Sequence, residues 1–244
     1  MSVARRALVR VLKPVIRRHS SLVGSVVAVK TSEPHVVLTY DDGPEPGGTD
    51  LILAVLADRR ATATFFVLLT RARAHPGLLD EVISEGHEIA LHGQDHRCLT
   101  QFSSEEVSRR TQGGKDELED ITGRSVRWMR PPYGRQTFAT WRAVMATGLH
   151  PVMWGPTTWD SRHISQSERV RKALEGTVRG SILLAHDGYA GPADGVDDGP
   201  VPKVDRGDLT RRVLDGFSEI GLQGQSLSAS LQSGTPVRAA WFKR

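Results

Sequence analysis

The chain has 244 residues, 39% of them hydrophobic and 25% charged, which is typical of a soluble globular protein with a sizeable core. Its single cysteine, Cys98, excludes internal disulfides and cysteine-rich zinc sites, so a transition metal would need histidine and carboxylate ligands. Seven of the 32 lysine and arginine residues precede the first acidic residue, Glu33. The rest of the chain therefore carries 25 basic and 28 acidic side chains, which argues against a nucleic-acid-binding surface.

The first predicted element is a basic amphipathic segment over residues 1–34, in which apolar residues recur at helical spacing from Val3 to Ile16. No apolar run reaches the roughly 18 residues of a membrane span. Arginines interrupt the apolar residues that a secretory signal peptide would need. We expect a helix docked on the domain, with binding to an anionic membrane surface as the alternative. The sequence accordingly favours a cytoplasmic location, either free or peripheral to a membrane.

From residue 35 onward, strand-like and helix-like segments alternate. Apolar runs predict strands at 35–40, 63–69, 88–91, 126–129, 151–154 and 182–185. Helical patterns occur at 50–57, 76–85, 104–121, 138–147, 167–177 and 209–219, and Ser103 with Glu106 is a typical helix start. This alternation predicts an α/β fold with a mainly parallel sheet, open or closed into a barrel, in one catalytic domain over residues 35–244.

A long loop is predicted at residues 188–207, whose glycines, prolines and aspartates exclude regular structure. Loops of this length in compact domains are usually functional lids or flexible insertions, and the sequence favours neither. We expect the acidic residues 194–198 to lie in a solvated loop, with cation binding as the alternative.

Ionisable residues follow the predicted strands at the end where α/β folds build their sites. Two adjacent aspartates, Asp41 and Asp42, end the first strand, and His92 and His96 follow the third. Two neighbouring carboxylates either lie in water or surround a cation, with one bound to the metal and the other free for chemistry. With the two histidines, an aspartate completes an Asp-His-His set, which suits Zn²⁺ or a similar divalent ion and leaves a coordination position open.

Four motifs carry a family resemblance: TYDDGP, HGQDH, RPPYG and LLAHDG, in this order. The chain resembles the polysaccharide deacetylase family, also known as the NodB homology domain or carbohydrate esterase family 4, over about residues 35–230. The resemblance implies a distorted (β/α) barrel. It implies that Asp42, His92 and His96 bind the metal, Zn²⁺ or alternatively Co²⁺. It also implies that Asp41 is the catalytic base and that Arg130 orients it.

The same resemblance assigns roles on the far side of the site. The backbone N–H of Tyr133 would stabilise the oxyanion, and His186 would protonate the departing amine while paired with Asp160. Leu184 corresponds to the leucine of the acetyl pocket, and Pro131 of RPPYG is expected to contact substrate. The implied activity is metal-dependent removal of an acetyl group from an N-acetylated sugar or glycan.

Three departures from the family pattern concern the surroundings of the site. Gly93 stands where the family usually has serine or threonine, so a hydroxyl of the metal loop is missing. In the family segment D-x-x-D-W, the first acid is replaced by Thr157 and the tryptophan by Ser161. Trp159 is expected to form the substrate wall instead, with Trp154 as the alternative.

Two other functions stay open on the sequence alone. The first is a deacylase of another N-acyl, N-formyl or lipid-linked sugar. The second is a carbohydrate-binding relative without catalysis, which would need neither the base Asp41 nor the acid His186.

Overall fold

A seven-stranded parallel sheet forms the centre of the computed structural model, which describes residues 23–242. Its strands are β2 (His35–Asp41), β3 (Thr64–Leu68), β4 (Glu88–Gly93), β5 (Trp128–Met129), β6 (His150–Pro151), β7 (Ile182–His186) and β8 (Gln223–Gln225). Six of them follow the order β6-β5-β4-β3-β2-β7, and β8 pairs with the first residues of β2. The fold is therefore α/β with a mainly parallel sheet, as predicted.

The central strands are buried on both faces, which is why they read as continuous apolar runs. All five residues of β3 are buried, and so are the six residues of β2 that follow His35. Parallel sheets need this composition because the connecting helices cover their faces. The helices span Thr49–Asp58, Leu69–Ala74, Pro76–Ser84, Ser104–Thr122, Phe138–Met145, Gln166–Leu174, Arg206–Glu219 and Leu227–Gln232.

A second, two-stranded sheet lies between the edges of the first. Strand β1 (Ser25–Thr31) pairs antiparallel with β9 (Gly234–Ala239). Isolated bridges join β1 to residues beside both outer strands, Val26 with Val152 and Ala28 with Ser181. A further bridge, Thr157 with Leu184, links the chain after β6 to β7. The two edges of the parallel sheet are thus brought together without a continuous ladder.

Strand β1 falls within the range predicted as a separate basic segment, and the sequence did not identify it as a strand. Its residues Val26 and Val29 are nevertheless buried in the core. The amphipathic helix predicted before it lies outside the described residues. Within the part of the chain that the structure describes, no helix has the length and apolar character needed to cross a membrane.

The predicted helix start at Ser103 is confirmed, because its hydroxyl accepts a hydrogen bond from the backbone N–H of Glu106 at 3.2 Å.

The prediction for residues 188–207 is wrong in two places. A turn of 3₁₀ helix occupies Pro192–Asp194, and Arg206 already begins the next α-helix. Asp205 caps that helix by accepting a hydrogen bond from the backbone N–H of Asp208.

The register of the central strands positions the site. In β2 and β7, Asp41 lies opposite His186, and Thr39 lies opposite Leu184. In β2 and β3, Asp41 lies opposite Phe66. Since parallel strands end at the same edge of the sheet, residues that follow β2, β4 and β7 meet there.

Candidate active site

The predicted metal ligands come together at the ends of β2 and β4. Asp42 Oδ1 lies 3.3 Å from His92 Nε2 and 3.4 Å from His96 Nε2, and all three side chains are buried. Among the described residues, these three form the one group of possible metal ligands whose donor atoms all lie within 4.8 Å of one another. Asp42 Oδ1 is buried without a hydrogen-bond partner, as expected for an atom that serves as a metal ligand.

The turn after Asp41 requires a glycine. Asp42 adopts a left-handed conformation with φ of 79°. The backbone N–H of Gly43 donates to Asp187 Oδ1 at 3.0 Å, and a Cβ on Gly43 would lie 1.9 Å from Asp187 Oδ2. Burial raises the pKa of Asp187 to about 7. Thr49 donates a second hydrogen bond to the same carboxylate, at 2.7 Å. Asp187, which directly follows β7, therefore fixes the turn at Asp42 and Gly43, called the aspartate turn below.

The three possible metal ligands shift one another's pKa values, and the carboxylate of Asp42 stays ionised. Burial alone raises the pKa of Asp42, but His92 and His96 hold the pKa below its ordinary value. Burial lowers the pKa of His96, whereas Asp41 and Asp42 raise the pKa of His92 despite its burial. His92 Nδ1 faces the carbonyl oxygen of Arg130 at 2.8 Å. Because a carbonyl can only accept, that nitrogen carries the proton, and Nε2 is free to bind a metal.

The predicted base pairs with a fully buried cation. Arg130 Nη1 donates to Asp41 Oδ1 at 2.6 Å and to Thr39 Oγ1 at 2.8 Å. The guanidinium also lies 4.1 Å from the centre of the Phe66 ring. Burial lowers the pKa of Arg130, and the Asp41 carboxylate opposes that shift. One carboxylate oxygen of Asp41 is thereby fixed, and the other remains available to accept a proton.

The predicted acid, His186, is partly buried and pairs with the buried carboxylate of Asp160. His186 Nδ1 lies 2.7 Å from Asp160 Oδ1, and the backbone N–H of His186 donates to Asp160 Oδ2 at 2.8 Å. Burial lowers the pKa of His186, but the carboxylates of Asp160, Asp42 and Asp41, with Asp160 the largest contributor, more than offset this and raise the pKa to about 9. Arg206 fixes the turn by donating to the carbonyl oxygens of His186 and Gly188, each at 2.6 Å.

These groups open onto one cavity of about 400 Å³. Besides the metal group, its wall includes Asp41, Tyr133, Trp154, Ser161, Leu184, His186, Tyr189 and Asp198. Leu184 supplies an apolar surface beside His186. Tyr133 lines the cavity with φ of 60°. A cavity with two acid–base groups, a metal-binding set and an apolar patch is suited to hydrolysis of a polar bond next to a small apolar group.

Two residues predicted to contact substrate lie elsewhere. Trp159 is outside the cavity wall, and its ring is covered by Arg162 at 3.9 Å and Lys172 at 4.3 Å. The alternative, Trp154, occupies the wall instead. Pro131 is buried and does not line the cavity. The wall as it stands therefore favours Trp154, and substrate contact by Trp159 and Pro131 stays a prediction.

The sequence missed three contributors to the site: Thr39, Arg206 and Asp198. Thr39 is an inward residue of an apolar strand, and Arg206 opens a helix, so neither carries a local functional signal. Asp198 belongs to the acidic run predicted to be solvated. That prediction is wrong for Asp194, which is fully buried, whereas Asp198 is exposed and lines the open cavity.

Comparison with known proteins agrees with this geometry. The family model described as Polysaccharide deacetylase matches residues 28–152. A chitooligosaccharide deacetylase from Azorhizobium caulinodans is 32% identical over 171 residues, which is 69% of this chain and 80% of that protein. The peptidoglycan-N-acetylglucosamine deacetylase PgdA of Listeria monocytogenes is 33% identical over 72% of this chain, but the match spans only 37% of that longer protein.

The fold has a close counterpart among solved structures. The Bc1960 peptidoglycan N-acetylglucosamine deacetylase superposes with a TM-score of 0.74 over 86% of this chain and 94% of that chain. The two sequences are 22% identical, so this likeness concerns the fold.

Proposed function

This chain belongs to the polysaccharide deacetylase family, and on that basis we propose that Asp41 and His186 are the base and the acid with which it removes acetyl groups from N-acetylated sugars. The family and the enzyme class predicted from the motifs are thereby confirmed: the protein is a carbohydrate-directed hydrolase of acetamide bonds. The observation that carries the residue roles is the single cavity into which both acid–base groups and the Asp-His-His group open.

The metal proposed for Asp42, His92 and His96 is Zn²⁺, with Co²⁺ as the alternative. Two imidazole nitrogens and one carboxylate oxygen are a common donor set for these ions, and three protein ligands leave a position open. A metal bound there would polarise the acetamide carbonyl and make a water molecule more acidic.

The chain's own groups account for the proton transfers. Asp41 accepts a proton from the attacking water through the carboxylate oxygen that Arg130 does not hold. The water oxygen adds to the acetamide carbon, and the backbone N–H of Tyr133 donates to the resulting oxyanion. His186, held through Nδ1 by Asp160, then protonates the nitrogen as the carbon–nitrogen bond breaks. The products are acetate and a free amino sugar.

An N-acetylglucosamine unit within an oligosaccharide is the proposed substrate. Two relatives carry names that specify chitooligosaccharide and peptidoglycan N-acetylglucosamine. The apolar surface of Leu184 beside His186 suits a methyl group, and the open cavity leaves room for a sugar. A longer acyl chain would need more apolar wall than Leu184 and Trp154 offer.

Acetate release from N-acetylglucosamine oligomers of increasing length tests this proposal. The protein is loaded with one equivalent of Zn²⁺, and lipid-linked and N-formyl sugars serve as further substrates. We expect acetate release that falls at least ~10³-fold in Asp41→Asn, with Asp197→Asn, an exposed acid of the same surface, as the control. Loaded protein that binds the oligomers without turning over any sugar would instead support a binding role.

Location and membrane contact stay predictions, because both depend on residues 1–22. Sedimentation with anionic vesicles, with and without these residues, tests the membrane alternative. If binding needs the segment and acetate release from lipid-linked sugars does too, the substrate would be presented at a membrane surface.

A further inference from the structure

The two histidines of the metal group are supported differently. Both turn Nε2 towards Asp42 Oδ1. His92 has its other nitrogen on a carbonyl oxygen, as described above, whereas His96 Nδ1 is buried without a hydrogen-bond partner. A neutral histidine that binds metal through Nε2 carries its proton on Nδ1 and almost always donates it to an acceptor. His96 therefore requires an acceptor that sequence motifs do not identify.

Asp198 is placed to provide that acceptor. Its Oδ2 lies 3.7 Å from His96 Nδ1, slightly beyond hydrogen-bond distance. The Tyr133 hydroxyl contacts both carboxylate oxygens of Asp198, at 2.9 and 2.8 Å, and the Tyr133 ring packs edge-on against His96 at 4.4 Å. A carboxylate has about four acceptor sites, so Asp198 can accept from Tyr133 and from His96 together.

The same loop holds the backbone of His96. The His96 N–H donates to the carbonyl oxygen of Asp194 at 2.9 Å. Asp194 is itself fixed, because its fully buried carboxylate accepts from Thr70 Oγ1 and Arg71 Nη2, both at 2.6 Å. Gly93, at the end of β4, contributes no side chain to this support. The loop after β7 thus holds the backbone of His96 by one hydrogen bond and places the Asp198 carboxylate 3.7 Å from the ring nitrogen Nδ1.

We propose that Asp198 is a positioning residue of the metal centre, which accepts the Nδ1–H of His96 and fixes the tautomer that presents Nε2 to the metal. The inference rests on the metal site assigned under the proposed function. Asp198 acts through His96 and is not itself a metal ligand in this proposal.

Metal affinity of the full chain tests the role of Asp198 without any substrate. Co²⁺ and Zn²⁺ binding is measured by competition with a chromophoric chelator for the unaltered protein, Asp198→Ala, Asp198→Asn and Asp197→Ala. We expect a roughly 10–100-fold weaker affinity in Asp198→Ala. Asp198→Asn keeps an oxygen acceptor but loses the charge, so its affinity falls between. The neighbouring exposed residue makes Asp197→Ala a matched control, with unchanged affinity expected.

A spectroscopic readout separates positioning from a general structural effect. The visible absorption of bound Co²⁺ depends on ligand geometry, and we expect it to change in Asp198→Ala and not in Asp197→Ala. The metal-free proteins should share one thermal midpoint, because the Asp198 side chain is about one-third exposed. Equal affinity and an equal spectrum in Asp198→Ala would overturn this inference alone. Failure of the unaltered protein to bind metal would overturn the proposed metal site as well.

Discussion

At the scale of single residues, Asp41 and His186 are each paired with a group of opposite charge. Asp41 is held by a guanidinium, which stabilises negative charge, and His186 is held by a carboxylate, which stabilises positive charge. The residues proposed as base and acid thus line one cavity with counter-charges of opposite sign. Asp41 is 3% and Asp160 is 2% exposed, so both carboxylates are buried.

The acid role of His186 predicts an alkaline limit to activity. The carboxylate of Asp160, with smaller contributions from Asp42 and Asp41, raises the pKa of His186 to about 9, so the proton required by the leaving amine is lost as the pH rises through that range. In Asp160→Asn the largest of these raising interactions is gone while burial still lowers the pKa, so the alkaline limb of kcat/KM should shift to lower pH. Rate profiles from pH 6 to 10 measure this, and coincident limbs would remove His186 from the acid role.

Stability should follow the same titration. The pKa of His186 is raised on folding, so its contribution to the free energy of unfolding is complete below about pH 6.5. That contribution is lost as the pH rises through about 9. Asp160→Asn should lack this alkaline decline, which urea denaturation at a series of pH values measures.

The backbone around Gly93, where the family usually has serine or threonine, leaves no room for a side chain. A Cβ at this position would lie 2.5 Å from the carbonyl oxygen of Asp95, closer than real contacts allow. We therefore expect Gly93→Ser to destabilise the protein by about 1–3 kcal/mol and to weaken metal binding. Gly77→Ser is the control, since a Cβ there meets nothing within 4 Å. Tighter metal binding in Gly93→Ser would show that the loop accommodates the hydroxyl.

At the scale of elements, ion pairs connect the loop after β7 to the rest of the site. Asp194 ties it to Arg71, and Arg71 also pairs with Glu45 beside the aspartate turn. Removing the buried carboxylate leaves Arg71 partly unpaired, so Asp194→Ala should lose about 3 kcal/mol of unfolding free energy. Asp197→Ala should stay within about 0.5 kcal/mol. Urea denaturation of the metal-free proteins tests this. Equal stabilities would mean that the ion pair between Arg71 and Asp194 makes no net contribution to the free energy of unfolding.

The elements that the sequence predicted are those with a local signal. Strands β2, β3, β4 and β7 are buried on both faces and read as apolar runs, and Ser103 marks a helix start. By contrast, β1 and β9 pair across more than 200 residues, and the register between Ser25 and Ala239 has no local signature. Strand β9 also lacks the continuous apolar pattern of the central strands, and none of its residues is buried.

The same distinction holds within the active site. Motifs predicted the residues proposed for proton transfer and metal binding, because the proposed chemistry requires those residue types. The supporting groups come from positions where many residue types occur: Arg206 at a helix start and Asp198 in a loop. Trp159 was assigned to the cavity because tryptophan is typical of a substrate wall, but its direction depends on backbone torsion, with φ of 52°. Side-chain direction follows from tertiary packing, which the motif does not contain.

At the scale of the whole molecule, the metal group connects separate parts of the sheet. Asp42 follows β2, His92 lies in β4, and His96 is held by the loop after β7. These segments are far apart in sequence, so the unfolded chain does not present the three ligands together. A metal that binds only the folded state stabilises the whole fold by mass action.

This linkage predicts a stability change on metal binding. At a free Zn²⁺ concentration of about 100 times Kd, the free energy of unfolding should rise by about 2.7 kcal/mol. For a domain of this size, the midpoint of thermal unfolding should then rise by roughly 5–11 °C. His96→Ala removes one ligand and should show little of this shift at the same Zn²⁺ concentration, and a chelator should reverse the shift in the unaltered protein. If His96→Ala showed an equal shift, the stabilising Zn²⁺ would be bound at a site that does not include His96.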